Sequence, residues 1–291
     1  MTAKILFQFD VDAHPSSFDS VVAVDAGVDH LFQYGSVDES DVEGLVHGGM
    51  FTRGGNNLKN TAIFIGGNDV IKAETLLRAV QKAFFGPVRV SVMLDASGCN
   101  TTAAAAVASA SKHVELKGAT AVVLGGTGPV GRRVAQMLGS QGSNVILTSR
   151  SLARAESACS DIVAKLPDAK IEAAAPEDES QKMIMLARAK IVIACGAAGV
   201  ELVSASQLHQ LKGLKVAIDL NAVPPSGIGG VEAFDKAKQL GNSTDSPVVY
   251  GPIGVGGLKM RAHKAAIAKL FDTNDQVIDA NEVFNLTKTL I

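Results

Sequence analysis

Residues 120–132 read Thr-Ala-Val-Val-Leu-Gly-Gly-Thr-Gly-Pro-Val-Gly-Arg, an apolar run that ends on glycines and passes into a periodic stretch. The pattern reads as a buried strand turning sharply into a helix, the unit from which parallel α/β sheets are built. Gly126, Gly128 and Gly131 stand at G-x-G-x-x-G spacing. One glycine permits the tight turn, one lets the backbone approach a ligand, and one lets the helix pack close on the strand. The N–H groups at the helix start suit a pyrophosphate. Thr127 and Val130 belong to the same turn, and Pro129 loses nothing by lacking an N–H in the first turn. The implied ligand is a dinucleotide; a glycine-rich structural turn is the alternative.

The helix is expected over about 129–140, with Val130, Val134, Met137 and Leu138 as its apolar stripe and Gly142 as terminator. A second strand follows, Asn144-Val-Ile-Leu-Thr-Ser-Arg150. Its tip should lie beside the adenosine ribose, where an NAD site places Asp or Glu. Here Ser149 and Arg150 stand at the tip, with Arg154 one helical turn on. A guanidinium pairs with a 2′-phosphate through its planar fork, so the expected cofactor is NADP.

At 291 residues the chain can hold two domains, and 47% hydrophobic against 19% charged residues marks it as globular. The formal charge is −2 and Lys and Arg form no cluster, so nucleic acid is not an expected partner. The N-terminal apolar run is short and broken by Asp10 and Asp12, unlike a signal peptide. Nothing approaches the ~18 apolar residues of a membrane span. Cys99, Cys159 and Cys195 are scattered, which suits a reducing cytoplasm. The histidines form no metal-binding pattern, so no metal is expected.

From about Leu116 to Gly256 strands alternate with helices. Strands are expected at 120–125, 144–149, 171–175, 190–195, 215–220 and 248–253, with helices at about 129–140, 151–165, 177–188 and 201–210. This is a doubly wound parallel sheet of Rossmann type. The first hundred residues read as a separate α/β unit, so the fold class is α/β with two α/β domains and a cleft between them. Strands are expected there at Ile5–Phe9, Val21–Val24, Thr61–Ile65 and Val88–Leu94. A helix is expected over Asp69–Phe85, with Ile71, Leu76, Leu77, Val80 and Phe84 on its buried side. An alanine-rich interdomain helix starts near Asn100 or Thr101 as N-cap. A second long helix, Gly257–Phe271, returns the chain. The boundaries are thus 1–102 plus about 272–291 for the first domain and 103–271 for the second.

Ligands bind outside the carboxyl ends of such strands. In the second domain these ends carry Cys195-Gly196-Ala197, Asn221 and the glycine-rich stretch containing Gly254, small enough to admit a nicotinamide ribose. Asn221 either bonds the nucleotide or its own turn. In the first domain the polar strand ends hold Ser16, Phe18, Asp19, Gly66, Gly67, Asp69, Asp95, Asn100 and Thr102. Their mixed donors and acceptors suit a pterin edge, facing the nucleotide domain across a cleft. Helix capping is the competing reading for Ser16, Asp69 and Asn100.

Several blocks carry a family resemblance: Phe7-Gln-Phe-Asp10, His14-Pro-Ser-Ser-Phe-Asp19, Thr61-Ala-Ile-Phe-Ile-Gly-Gly67, Asn100-Thr-Thr-Ala-Ala-Ala105, Gly126-Thr-Gly-Pro-Val-Gly131, Pro224-Pro-Ser-Gly-Ile-Gly-Gly230 and Gly254-Val-Gly-Gly-Leu-Lys259. Together they resemble the NADP-dependent methylene-tetrahydromethanopterin/methylene-tetrahydrofolate dehydrogenases of methylotrophic bacteria, over essentially the whole chain. The resemblance implies one-carbon metabolism, a tetrahydromethanopterin or tetrahydrofolate derivative as substrate, and a homo-oligomer, a trimer in that family. It maps the nucleotide site onto Thr127–Val130, Ser149, Arg150 and Arg154.

The chemistry it implies needs little machinery. A methylene bridge between two nitrogens gives hydride to NADP, and the methenyl cation is delocalised over both nitrogens. No proton moves in that step. The protein must align two carbons at about 3–3.5 Å and shape the field at the growing cation. Asp19 or Asp69 can stabilise positive charge, and Lys259, expected in a turn that opens a helix, can orient the pterin or a carboxylate. Asp19 and Lys259 are therefore the candidate catalytic residues.

Two other readings are weighed. A shikimate- or quinate-type dehydrogenase shares the Thr148-Ser-Arg-Ser151 tip, but its Ser-x-Ser-x-x-x-His-Asn block is not found. A non-catalytic NADP sensor would keep the glycine loop and lose the polar clusters of the first domain.

Overall fold

The computed structural model describes residues 2–241 and 246–291. Its residues group into two compact units: residues up to Thr101 with Met260–Leu290, and Thr102–Lys259. The elements of the chain run β1 (Ile5–Asp10), α1 (Ser17–Asp25), β2 (His30–Tyr34), α2 (Glu39–Met50), β3 (Thr61–Gly66), α3 (Val70–Ala83), β4 (Ser91–Leu94) and α4 (Cys99–Ser111). The next are β5 (Thr120–Leu124), α5 (Pro129–Ser140), β6 (Asn144–Thr148), α6 (Leu152–Lys165), β7 (Lys170–Ala174), α7 (Glu179–Ala187), β8 (Ile191–Ala194), α8 (Ala205–Gln210) and β9 (Val216–Asp219). The chain ends with β10 (Lys238–Gln239), β11 (Val248–Tyr250), α9 (Pro252–Lys269), β12 (Val277–Ile278) and α10 (Ala280–Lys288).

The first unit is a parallel sheet in the order β12-β4-β3-β1-β2. Strand β3 is buried throughout, as its unbroken apolar sequence requires. Its core joins Phe9, Ile63, Ile65, Val92 and Leu94 of the sheet to Val42 and Val46 of α2 and Leu76 and Val80 of α3. The order reverses between β1 and β3, so the crevice at a reversal of strand order opens at their carboxyl ends.

Several expectations are corrected here. Val21–Val24 is helix, within α1, not strand. Ser16 caps that helix by accepting from Asp19 N, and Val22 and Ala23 bury one side of it. Strand propensity yields there to capping and packing. The strand in question is β2, an edge strand, and α2 has an Asp38 capping box that went unread. The strand expected from Val88 begins at Ser91. Ile71 is 78% exposed on α3, so it is no part of the buried side. Helix α4 starts at Cys99, and neither Asn100 nor Thr101 caps it. Asp95 does so instead, accepting from both of their N–H groups.

The second unit is the order β10-β11-β9-β8-β5-β6-β7, parallel except for the two-residue edge β10. Its order reverses between β5 and β8, the crevice of a doubly wound sheet. Helix α9 begins at Pro252, five residues before the expected start at Gly257. Gly251 and Gly254 explain why: a Cβ at either would strike carbonyl oxygens of residues 232–235. Gly254 lies inside the helix and Gly251 just before it, and both must be glycine because a neighbouring segment presses on them. Grouping assigns α9 from Met260 onward to the first unit, earlier than the expected return near 272, because His263 of that stretch packs on Phe64 of β3.

No helix among the described residues is long and apolar enough to cross a membrane, and none of their His, Cys, Asp and Glu residues group as a metal site.

Candidate active site

At the β5–β8 crossover the glycine loop is locked by three independent constraints. Gly125 adopts φ +65°, and a Cβ there would stand 2.5 Å from Gly196 Cα at the end of β8. Gly126 lies under Leu147, at 2.7 Å from a hypothetical Cβ. Gly131 packs on Gly126, where a Cβ would come within 2.6 Å of its Cα. Gly128 is the N-cap of α5 and has nothing within 4 Å of its Cβ position. The turn is therefore filled on its protein side and open on the other. Gly126 N donates to Thr148 O, and Gly125 N to Thr148 Oγ1, which ties the loop to the tip of β6. Arg132 fastens it further, donating to Thr127 O and to Asp161 of α6.

A cavity of about 570 Å³ opens against this loop, within the range of a cofactor site. It is lined by Thr127, Gly128, Ser149, Arg150, Arg154, Cys195, Gly196 and Ala197 among the expected residues. The lining also includes Gly125, Pro176, Lys182, Met185 and Leu202, which the sequence did not mark. Gly125 was legible as a second glycine at the strand end. The others sit on the β7–α7 connection, on α7 and on the β8–α8 connection, and converge only in three dimensions. Lys182 is held by Glu179 at 3.1 Å and donates to Leu202 O, so it braces the apolar wall.

Pro129 sits at the first helical position, and Pro129 and Val130 follow Gly128 into α5 outside the lining. Burial pushes the Cys195 thiol far up, helped by the Asp219 carboxylate, so it remains a neutral thiol. Asn221 is committed locally: its Nδ2 donates to Pro225 O and its Oδ1 accepts from Val223 N. Asp219, itself raised by burial, accepts from Asn221 N and Ile228 N and so closes the loop 221–228. Gly254 lies inside α9 against Asp235.

The first unit has its own polar cluster at the β1–β3 crossover. Asp10 is fully buried and accepts from Asp12 N and Ser16 N. Asp12 in turn accepts from Asn68 N and Nδ2, joining the loops after β1 and β3. Buried Gln8 donates to Ser16 O and accepts from Ser20 and Gln33. These bonds clamp the first turn of α1, from which Phe18 projects half-exposed and Asp19 turns toward Gly66. Gly67, at φ +104°, is pressed against Val11.

Ser16 and Asp69 cap helices α1 and α3. Asp95 and Asn100 are fully buried: Asp95 also accepts from Thr101 Oγ1, and Asn100 Nδ2 donates to Leu94 O and Asp279. Both are framework at the end of β4. Thr102 is partly exposed one residue further along α4. Lys259 lies well inside α9, not in a turn that opens a helix, because that helix starts at Pro252. His263 and Gln33 of this unit carry no motif in the sequence, and Gln8 is marked there only as part of the block Phe7-Gln-Phe-Asp10.

A doubly wound sheet with a glycine loop at its strand-order reversal, an arginine at the next strand tip and a second on the helix that follows defines a nicotinamide-dinucleotide oxidoreductase. Solved structures with this fold include the ligand-free 5-ketofructose reductase of Gluconobacter (14% identity, TM-score 0.54, 99% of each chain). Another is quinate dehydrogenase from Corynebacterium glutamicum in complex with NAD (12%, TM-score 0.52, 99% of this chain and 98% of that one). Residues 17–97 match the family described as methylene-tetrahydromethanopterin dehydrogenase, N-terminal. The whole chain is 44% identical to the bifunctional protein MdtA of Methylorubrum extorquens, covering 100% of both. It is 28% identical to the NAD(P)-dependent methylenetetrahydromethanopterin dehydrogenase of that organism, over 98% of each. The chain belongs to the methylene-tetrahydromethanopterin dehydrogenase family.

Proposed function

We propose that this protein oxidises methylene-tetrahydromethanopterin, methylene-tetrahydrofolate or both with NADP, giving the methenyl form. The observation that carries the cofactor choice is the strand tip Ser149-Arg150, with Arg154 behind it, on the wall of the cavity that the glycine loop closes. Among the described residues no carboxylate lines that cavity, so its lining favours a 2′-phosphate. The residues fit the group: open space at Gly128 admits a pyrophosphate, and Thr127, Pro129 and Val130 place the start of α5 against it. When bound, the nicotinamide accepts a hydride. Cys195, Gly196 and Ala197 present a small, uncharged wall to it.

The pterin belongs to the polar strand ends of the first unit. Phe18 offers a half-exposed ring for stacking, at the strand ends that Gly66 and Gly67 close. Asp19 supplies negative charge where the substrate becomes cationic, and Lys259 is the candidate for orienting the pterin carbonyl or a carboxylate. A fixed carboxylate stabilises a developing cation without reorganisation. Asn221 and Gly254 support the loops around the nucleotide. A homo-oligomer, a trimer by family resemblance, and a cytoplasmic location complete the reading; none of the three cysteines is in a disulfide.

The test is absorbance at the NADPH band with each methylene-tetrahydropterin in turn. Growth of the band with either substrate is expected. NADP binding without turnover of either pterin would favour a sensor, and turnover of quinate or shikimate would favour that dehydrogenase type.

A further inference from the structure

His263 is completely buried in the first unit, on the part of α9 that groups there. Its ring stacks on Phe64 of β3, centroids 5.6 Å apart and planes at 27°. Phe18 closes the other approach at 6.4 Å. The stacking fixes the imidazole plane and aims Nε2 at Asp19, 3.9 Å from Oδ1. The second carboxylate oxygen, Oδ2, faces Gly66, 3.6 Å from where a Cβ would stand. Asp19 is only 12% exposed. Its backbone is already held, since Asp19 N donates to Ser16 Oγ, Ser16 N to Asp10, and Gln8 to Ser16 O.

We propose that His263 is the positioning residue of Asp19: the imidazole stands behind the carboxylate and fixes its rotamer and charge at the β1–β3 crossover. At 3.9 Å the contact is an ion-pair distance and not a hydrogen bond, so the coupling is electrostatic and steric. The Phe64 ring sets the direction of the pair, and the outer oxygen lies on the side of Gly66 and Asp10 at the strand ends. The group that oxygen meets rests on the pterin reading above; the coupling of His263 to Asp19 does not.

The test uses the full-length protein. In His263→Phe the aromatic plane against Phe64 survives and the nitrogen is lost; His263→Asn restores an N–H donor. His263→Phe is expected to lower kcat with methylene-tetrahydropterin by about ten- to a hundredfold while leaving KM for NADP unchanged. Asp19→Asn should show a similar loss, the double variant no further loss, and His263→Asn a partial recovery. A kcat for His263→Phe within about twofold of wild type, or losses that multiply in the double variant, overturns the proposal. A second readout needs neither activity nor a folded His263 variant. In 15N-histidine-labelled protein, the ring-nitrogen resonance of His263 must move in Asp19→Asn; a resonance that stays put overturns the coupling outright. If the resonance moves but wild-type protein turns over neither pterin, the pterin reading alone falls.

Discussion

In the proposed reading, Arg150 is the residue on which cofactor choice turns. It stands exposed at the tip of β6, on the cavity wall, where a carboxylate would select against a phosphate. Arg150→Ala should raise KM for NADP by roughly thirtyfold, the equivalent of about 2 kcal/mol for a charge-assisted contact, and change KM for NAD little. Steady-state kinetics with both cofactors checks this; an equal change for both would mean the arginine stacks without reading the phosphate. A second single-residue effect concerns stability. Burial, and then the charge of Lys112, hold the His113 imidazole below its ordinary value, and its ring nitrogen lies 2.7 Å from the Tyr250 hydroxyl. The folded state thus binds fewer protons than the unfolded one. Stability from this group is present above the unfolded-state value of about 6.5 and is lost as pH falls through the lower folded value. Thermal melts should drop on acidification below that point, and His113→Gln should flatten this part of the profile.

Helix α5 and the strand it leaves show how an element is specified. The glycine spacing was legible because each glycine answers a contact: Gly131 to Gly126, Gly126 to Leu147 and Gly125 to Gly196. Gly131→Ala should force α5 away from β5, costing about 1–3 kcal/mol in denaturant unfolding and weakening NADP binding measured by fluorescence. Helix α4 was legible as a helix but not in its cap. The backbone N–H groups of Asn100 and Thr101 go to Asp95, which freed the Asn100 side chain for β4 and α10. Asn100→Ala should leave the Leu94 carbonyl and Asp279 carboxylate short of a donor, destabilising the first unit by about 1–3 kcal/mol by urea unfolding. Val21–Val24 misled because it is an unbroken apolar run: Val21 and Val24 are exposed on α1 while Val22 and Ala23 are buried, a helical spacing that residue type alone hides. A short β-branched run cannot settle its own period; the Ser16 cap settles it.

At the scale of the molecule, the cofactor cavity lies wholly within the second unit. NADP binding should therefore stabilise it by mass action, by about 2.7 kcal/mol at a hundredfold excess over Kd. A rise in Tm of roughly 5 °C is expected for a chain of this size, larger than with NAD at equal concentration. The sequence by itself determined the Rossmann-type sheet, the glycine loop and the arginine at the next strand tip. All three are written in contiguous residues, where strand, turn and helix start are neighbours and local sterics decide. Tertiary structure alone decided that Gly254 would be helical, that Asp95 and Asn100 would be framework, and that His263 would face Asp19. Those outcomes depend on segments distant in the chain: the carbonyls of 232–235 against α9, Asp279 against Asn100, and the ring of Phe64 beneath His263. A contact between remote segments leaves no spacing to read, because its partners are fixed only when the sheet brings their elements together.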